Sequence, residues 1–306
     1  MAISYSLILG PSDDMHVAHM RNALLHHSRK VICIDTAKYP NKWELSWHPS
    51  IGYGAIQQDD VFVEFDQIRS VYWRSVSAPA PQCANPIISS DCASMLRTLF
   101  CMPHIHWVNS REAIDLHKVK PMQLHQAKSL GATIPRSYIG NDAVQAIGFL
   151  EHVEHAIFKP VHGGAQTQTV NHNQRQIEHL RASMALCPVT LQEYIEGTNI
   201  RTFVIGKRIF SAEICSNEVD FRSDQQACAV AISTPPKVAQ LAQRIMRYFK
   251  MQWTAIDWRR DLDGHYYFLE ANPSPMFIDL EMNTGLPITE SLLELLMQPN
   301  SNNLSM

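Results

Sequence analysis

Short apolar runs separated by polar, helix-forming stretches set the pattern of the first hundred residues. Residues 4–10 (SYSLILG) and Val31–Asp35 (VICID) are apolar runs of strand length, with a helical segment from about His16 to His27 between them. Pro11-Ser12-Asp13-Asp14 supplies the turn from strand to helix. This strand–loop–helix–strand order predicts a parallel α/β unit. Its first turn carries one glycine, a poor match to the GxGxxG dinucleotide fingerprint. Val61–Phe65 and Ser70–Trp73 predict two more strands, the latter ending at Arg74; Trp73, like the other tryptophans, reads as a core or packing group, with Trp73-Arg74 facing a substrate as the alternative. The Pro- and Ala-rich stretch 77–86 predicts a loop, and a helix over Asp91–Phe100 with the segment 106–110 (HWVNS) closes this region.

A second unit begins near Asn109. Lys118–Leu130 has helical spacing, with Pro121 confined to a first turn and Gly131 as the stop. Ile134-Pro135 leads into an extended piece, and a short strand at 156–161 (AIFKPV) enters the glycine-containing loop HGGAQTQTV. Residues 174–186 predict a helix and Val189–Ile195 a strand. Arg201–Ile205 and Arg208–Ile214 predict a hairpin around Gly206-Lys207, followed by helices over Pro236–Phe249 and Thr289–Met297. The chain divides into an N-terminal α/β region (1–110), a central lobe (111–190), a C-terminal lobe (191–300) and a polar tail (301–306) expected to fray.

At 306 residues the chain exceeds one small core, which agrees with that division. Apolar residues at 45% and charged residues at 18% are ordinary for a folded protein. A formal charge of −3 and a pI near 6.6 argue against nucleic acid as a partner held by bulk electrostatics. Seven cysteines without a CxxC pair point to reduced thiols and a cytoplasmic location. The start MAISYSLILG does not read as a signal peptide, and no apolar run reaches membrane-spanning length, so no membrane partner is expected.

Oxygen donors concentrate late in the chain. Asp257 lies in the apolar run Trp253–Trp258, and Glu270 and Asn272 lie two apart in Tyr266–Asn272 (YYFLEAN). The turn-forming stretch Arg260-Asp261-Leu262-Asp263-Gly264 separates them. Two strands joined there would put Asp257 beside the Glu270/Asn272 pair, because residues two apart in a strand share a face. Asp, Glu and Asn suit a hard cation such as Mg²⁺ and leave positions for phosphate oxygens. A surface hairpin of ordinary polar residues is the alternative.

Other charged groups are dispersed. Lys159, in FKP beside Gly163-Gly164, is placed to point its ammonium at a phosphate while backbone N–H groups cover other oxygens; a merely solvated strand-end lysine is the alternative. Lys120 offers a second cation at the start of a helix. LQEYI (191–195) reads as a linker for an adenine edge or as a plain core strand. Arg201 and Arg222 are candidates for gripping negative charge bidentately. His104 and His106 share a face if HIH is a strand, but with no third ligand nearby they do not make a metal site. There is no GxxxxGK[ST], no HRD or DFG set and no GxSxG, which excludes a P-loop, a protein kinase and a nucleophile elbow.

The ordered set KPMQLHQAKSLGATIP (120–135), FKPVHGGAQ (158–166), QEYIEGTNIRTFVIG (192–206), FSAEICS (210–216), DFR (220–222), AIDW (255–258) and FLEANPSPMF (268–277) resembles the ATP-grasp superfamily, from about Trp107 to Leu296. Within it, the chain looks closest to the branch of RimK-type glutamate ligases and of the graspetide, microviridin-type maturases that crosslink ribosomal peptides. The resemblance implies a mixed α/β (α+β) ATP-grasp fold: an N-terminal Rossmann-like α/β domain and two lobes enclosing ATP.

It assigns Lys120 and Lys159 to the nucleotide phosphates, with Gly163 and Gly164 as a lid. Gln192, Glu193, Tyr194 and Ile195 are assigned to the adenine slot, and Asn199 to the ribose. It gives Asp257, Glu270 and Asn272 to Mg²⁺, two ions being expected, and Arg201 and Arg222 to the transferring phosphoryl group. The activity implied is ATP-dependent ligation of a carboxylate to an amine or hydroxyl through an acyl-phosphate, with ADP and phosphate released. A precursor peptide with a leader is the implied partner, and a homodimer is left open. Two alternatives stand beside it: a ligase adding an amino acid to a small molecule or protein terminus, and a non-catalytic ATP-binding regulatory protein. Pro275-Met276-Phe277 departs from the glycine and glutamine that peptide-crosslinking relatives often carry after NPS or NPT, which leaves the substrate class open.

Overall fold

A computed structural model of the chain describes residues 4–81, 85–171, 176–216, 218–224 and 226–298, apart from the side chain of Arg222. The predicted tail lies outside these residues.

The chain opens with β1 (Tyr5–Leu9), α1 (Met15–His26) and β2 (Lys30–Ile34). Asp14 caps α1 by accepting from His16 N and Val17 N, so the predicted turn is also the helix start. A three-stranded antiparallel sheet follows, formed by β3 (Glu44–His48), β4 (Tyr53–Gln58) and β5 (Val61–Glu64). The apolar pattern did not announce β3 and β4: β3 alternates exposed and half-buried residues and has no apolar run to mark it. Next come β6 (Ile68–Trp73), α2 (Pro86–Phe100) and β7 (His106–Val108). β1, β2, β6 and β7 form a parallel sheet of order β2-β1-β6-β7, the expected α/β unit. His104 is bonded to the Phe65 carbonyl at 3.0 Å and His106 is buried, and the two do not belong to a metal-ligand group among the described residues.

Where one helix over 118–130 is expected, the chain forms two: α3 (Arg111–Lys118) and α4 (Lys120–Ser129), divided at Val119 (φ −89°, ψ 63°). Pro121 does sit in the first turn of α4. Largely polar and short, α3 starts where Ser110 caps it by accepting from Ala113 N. β8 (Ser137–Gly140), α5 (Ala143–Glu151), β9 (Ala156–Pro160), β10 (Gln168–Thr169), α6 (Ile177–Met184) and β11 (Val189–Glu193) complete the middle of the chain. Their strands form an antiparallel sheet of order β10-β9-β11-β8. Of the helix predicted at 174–186, residues 174 and 175 lie outside the described residues.

The last sheet is antiparallel, with β14 (Cys228–Ile232), β13 (Arg208–Cys215), β12 (Thr198–Ile205), β15 (Trp253–Arg260) and β16 (Tyr266–Asn272) in that order. Helix α7 (Pro236–Tyr248) packs behind it, and α8 (Ile278–Thr284) and α9 (Ile288–Met297) follow. Neither the edge strand β14, although CAVAI is an apolar run of strand length, nor the seven-residue α8 is among the elements predicted from sequence.

One apolar cluster joins the ends of the chain: Ile8, Met20, Leu24 and Tyr72 pack with Trp253, Phe277, Leu292 and Leu296. A second sets Ala113, Leu124 and Ala127 against Trp258, Phe268 and α7. These side chains are almost wholly buried, and removing such surface from water is worth about 25 cal/mol per Å². The N-terminal sheet and α4 are thereby held against the strands that carry Asp257 and Glu270.

Candidate active site

Between the β8–β11 and β12–β16 sheets lies a cavity of about 340 Å³. Lys120, Lys159, Gly163, Gly164, Gln192, Glu193, Tyr194, Ile195, Asn199, Arg201, Asp257, Glu270 and Asn272 all line it. Residues separated by up to 152 positions in sequence are therefore neighbours. Of the residues that the resemblance assigns to the site, Arg222 is the exception: its side chain lies outside the described residues, although its backbone forms the short helical turn Phe221–Ser223. Phe221 and Asp220 line the cavity beside it. Trp73 is buried in the N-terminal core, and neither it nor Arg74 lines the cavity.

The expected hairpin is present. β15 pairs with β16 so that Asp257 lies opposite Glu270 and Ala255 opposite Asn272, with a bulge after Asp257. On its other side β15 pairs with β12, placing Arg201 opposite Asp257. Arg201, Asp257 and Glu270 thus form a row across three strands. Arg201 grips Asp257 bidentately, Nε to Oδ1 at 2.7 Å and Nη2 to Oδ2 at 2.9 Å. Lys120, at the start of α4, donates from Nζ to Glu270 Oε2.

Charge in this row is set by burial and pairing together. Burial alone would raise the Glu270 carboxyl, but the Lys120 ammonium, with smaller help from His117 and Lys159, holds it below the ordinary carboxylate range. Burial opposes the charge on Arg201, and Asp257 more than restores it. His117 is pushed below the ordinary histidine value, first by burial and then by Lys120.

Other contacts that hold this wall carry no motif. Gln123, 2% exposed, donates to the Ala271 carbonyl and accepts from the Ala271 N–H, both at 2.9 Å. It thus takes the place of a further strand beside the residue that separates Glu270 from Asn272. Buried Asn109 donates to the carbonyls of Trp253 and Pro273, at 2.8 and 2.6 Å, and accepts from Gln252 N–H. Arg74, from the end of β6, pairs with Asp14 at 3.0 Å and donates to the Ser274 carbonyl at 2.9 Å. Ser274 N–H in turn donates to Asn272 Oδ1 at 2.9 Å. Arg74 is therefore tied to the loop after Asn272. Sequence gave only a weak pointer to these residues: Gln123 and Asn109 are buried polar groups whose partners lie well over a hundred positions away.

The opposite wall is built differently. Lys159 Nζ donates to Gln192 Oε1 at 3.0 Å, and Gln192 donates onward to Ser137 Oγ. Gly163 and Gly164 have φ of +93° and +92°, in the left-handed region that glycine enters without strain. A Cβ at Gly163 would lie 3.5 Å from Lys120 Nζ, so this loop reaches across to the lysine of the other wall. Glu193 lines the cavity while its carboxylate is bound by Arg136, at 2.8 Å from Nη2. Arg259 fixes the following linker, donating to the Ile195 carbonyl and the Tyr194 hydroxyl.

The donor set fits a hard divalent cation: two carboxylates and an amide oxygen on one face, with two cationic side chains already drawn to the carboxylates. Flanking lysines, positive-φ glycines and an apolar surface from Leu124, Ile139, Ile157, Ile200 and Leu269 suit a phosphorylated ligand with a flat apolar portion.

Comparison with known proteins bears on the family and the fold. The RimK-like ATP-grasp domain matches residues 116–296. A probable alpha-L-glutamate ligase 1 of Shewanella oneidensis is 30% identical over 112 residues, which cover 35% of this chain and 37% of that relative. Among solved structures, the ATP-grasp ligase PsnB, complexed with a phosphomimetic variant of its minimal precursor, Mg and ADP, superposes with a TM-score of 0.83 at 23% identity, covering 96% of this chain and 98% of that one. The macrocyclase MdnC of Microcystis aeruginosa, bound with precursor peptide MdnA, gives 0.84 at 21% identity, covering 96% and 99%. At these identities the structural likeness is one of fold. With the matched domain spanning more than half its length, the chain belongs to the RimK-like ATP-grasp family.

Proposed function

We propose that this protein is an ATP-dependent ligase that activates a carboxylate as an acyl-phosphate and joins it to an amine or hydroxyl, with a peptide as the substrate. The observation that carries this reading is the charged row Arg201–Asp257–Glu270 facing Lys159 and the glycine loop across one cavity. A carboxylate resists attack because addition would place more charge on an anion. Phosphorylation gives it a leaving group, and the protein's share of that work is positioning and charge neutralisation.

In this reading Asp257, Glu270 and Asn272 would hold Mg²⁺, two ions being expected, which would supply charge neutralisation at the phosphate oxygens. Arg201 and Lys120, which now pair with Asp257 and Glu270, would be available to phosphate oxygens once those carboxylates were engaged. Lys159 and the Gly163-Gly164 N–H groups take further phosphate oxygens. Gln192, Glu193, Tyr194 and Ile195 line the base slot, Asn199 serves the ribose, and Arg222 joins Arg201 at the transferring group. The cavity walls limit water, which would otherwise hydrolyse the acyl-phosphate.

A peptide substrate is supported by the solved relatives, PsnB complexed with a variant of its minimal precursor and MdnC bound with precursor peptide MdnA. The Shewanella relative's name supports a second reading, addition of glutamate to an acceptor. The test supplies ATP, Mg²⁺ and either a Thr-, Ser-, Lys-, Asp- and Glu-rich peptide or free glutamate with an acceptor, in the presence of hydroxylamine. The expected result is carboxylate-dependent ADP release with a hydroxamate on the peptide. A hydroxamate on free glutamate alone would move the assignment to the second reading. No ADP release with either pool would favour a regulatory ATP-binding protein.

A further inference from the structure

The strands β13 and β14 end on two cysteines. Their register runs from Ser211 opposite Ile232 to Cys215 opposite Cys228. Both residues are exposed, neither is in a disulfide, and their side chains are hydrogen-bonded to each other. Directly opposed residues of an antiparallel ladder have Cα atoms about 4.5 to 5.5 Å apart. That separation falls inside the range of about 4.4 to 6.8 Å bridged by disulfides. Elsewhere, Cys33 faces Ile8 in the parallel sheet, Cys92 lies in α2 with Cys101 at its end, and Cys187 follows α6. Among the described residues, Cys215 and Cys228 are the cysteines that sheet register sets opposite each other.

We propose that Cys215 and Cys228 form a reversible redox site whose oxidant is a small disulfide such as glutathione disulfide. In the first step the Cys228 thiolate attacks one sulfur of glutathione disulfide, forming a protein–glutathione mixed disulfide and releasing one glutathione thiolate. In the second, the Cys215 thiolate attacks the Cys228 sulfur, closing the Cys215–Cys228 bond and releasing the second glutathione thiolate. Two protein thiols lose two electrons and two protons; one external disulfide becomes two thiols. Partial desolvation, although the residue is exposed, and then the hydrogen bond to Cys228 hold the Cys215 thiol above its ordinary range, which suits it to the second, intramolecular step, where proximity makes up for a small thiolate fraction.

The location gives the bond a consequence. Between the two cysteines the chain carries Val219, Asp220 and Phe221, which line the cavity. Asp220 accepts from Thr167 N–H at 2.9 Å, and the Arg201 guanidinium lies 5.7 Å from the Phe221 ring. Closure ties both ends of this part of the wall at the sheet edge.

The experiment treats the reduced full-length protein with glutathione disulfide, blocks remaining thiols and maps peptides by mass. Wild-type protein is expected to yield a Cys215–Cys228 crosslinked peptide two hydrogens lighter, without glutathione on either residue, and added dithiothreitol should reverse it. Cys215→Ser should stop at Cys228 carrying glutathione. Separate glutathione adducts on both residues of the wild type, or retention of both thiols while other exposed cysteines react, overturns the proposal. Because the wild type carries the deciding reading and ATP turnover is not measured, neither a poorly folding variant nor failure of the ligase assignment affects the outcome.

Discussion

The β12–β16 sheet meets the cavity with fixed charges already paired, Arg201 to Asp257 and Lys120 to Glu270, whereas the β8–β11 sheet meets it with Lys159 on a neutral amide and a loop of two left-handed glycines. The first wall is held by strand register and by buried polar groups, Gln123 and Asn109, that fasten its backbone. The second owes its shape to glycine backbone freedom and a hydrogen bond between side chains. The contrast separates two jobs. A cation site needs oxygens at fixed spacing, while a phosphate cover has to admit and release its ligand.

Breaking the paired wall should have the largest effect. Asp257→Ala or Glu270→Ala is expected to lower ADP formation by about 10³-fold. Each change also leaves a cation without its partner. Because these carboxylates are 18% and 31% exposed, solvent screening reduces the expected loss of stability to about 1–3 kcal/mol. Urea denaturation and an ADP-release assay measure the two losses separately, and turnover retained in both variants would remove the metal assignment.

The second wall should respond mainly in binding. Lys159→Ala is expected to raise the KM for ATP by about 10- to 100-fold, the worth of one charge-assisted contact, with a stability loss of about 1 kcal/mol from the donor removed from buried Gln192. If Lys159→Ala unfolds as readily as Asp257→Ala, the contrast between the walls disappears.

Arg74 probes the support behind the first wall. Arg74→Ala removes contacts to Asp14 and Ser274 but no group that lines the cavity. An increase of about 10-fold in the Mg²⁺ concentration for half-maximal activity is expected, with little change in the KM for ATP. A change in ATP affinity with unaltered Mg²⁺ dependence would show that Arg74 does not act through Asn272.

The smallest effect is on pH dependence. Glu270 has a lowered value in the fold, so its contribution is fully present above the ordinary 4.5 and is lost as pH falls through the folded value. His117 is also lowered, but as a base. Below the ordinary 6.5 the unfolded chain takes up a proton that the fold refuses, so stability rises with pH up to about that value. His16, lowered mainly by burial, adds in the same direction. Thermal denaturation between pH 5 and 8 should therefore show stability increasing with pH up to about 6.5 and level above it, and His117→Asn should reduce that slope. An unchanged slope would place the titration elsewhere.

Much of this site was legible because its ingredients are local. The hairpin was written in two apolar runs about a turn, and the alternation inside YYFLEAN put Glu270 and Asn272 on one face before any fold was known. The glycine pair beside Lys159 was legible for the same reason: positive φ is a local demand. What stayed hidden was long-range. Gln123 on Ala271 and Asn109 on Pro273 look like ordinary polar residues until tertiary packing buries them. β3, β14 and α8 escaped for different reasons: β3 (ELSWH) alternates over only five residues, the apolar run of β14 (CAVAI) is an edge strand whose pairing with β13 is set by the fold, and α8 is a seven-residue helix too short to show a period. The division of the expected 118–130 helix at Val119 also escaped, although that break is where Lys120 starts a new helix beside Glu270.

The sequence alone determined the parallel N-terminal unit, the antiparallel hairpins, the spacing of the oxygen donors and the glycine turn, because periodicity and backbone freedom act over a few residues. Only the tertiary structure decided that Arg201 lies opposite Asp257, that Lys120 pairs with Glu270, and that Arg74 is tied to the loop after Asn272. Those contacts join segments 56 to 200 positions apart. Bringing them together carries an entropic cost of loop closure that local pattern does not encode and that burial of the shared apolar core offsets.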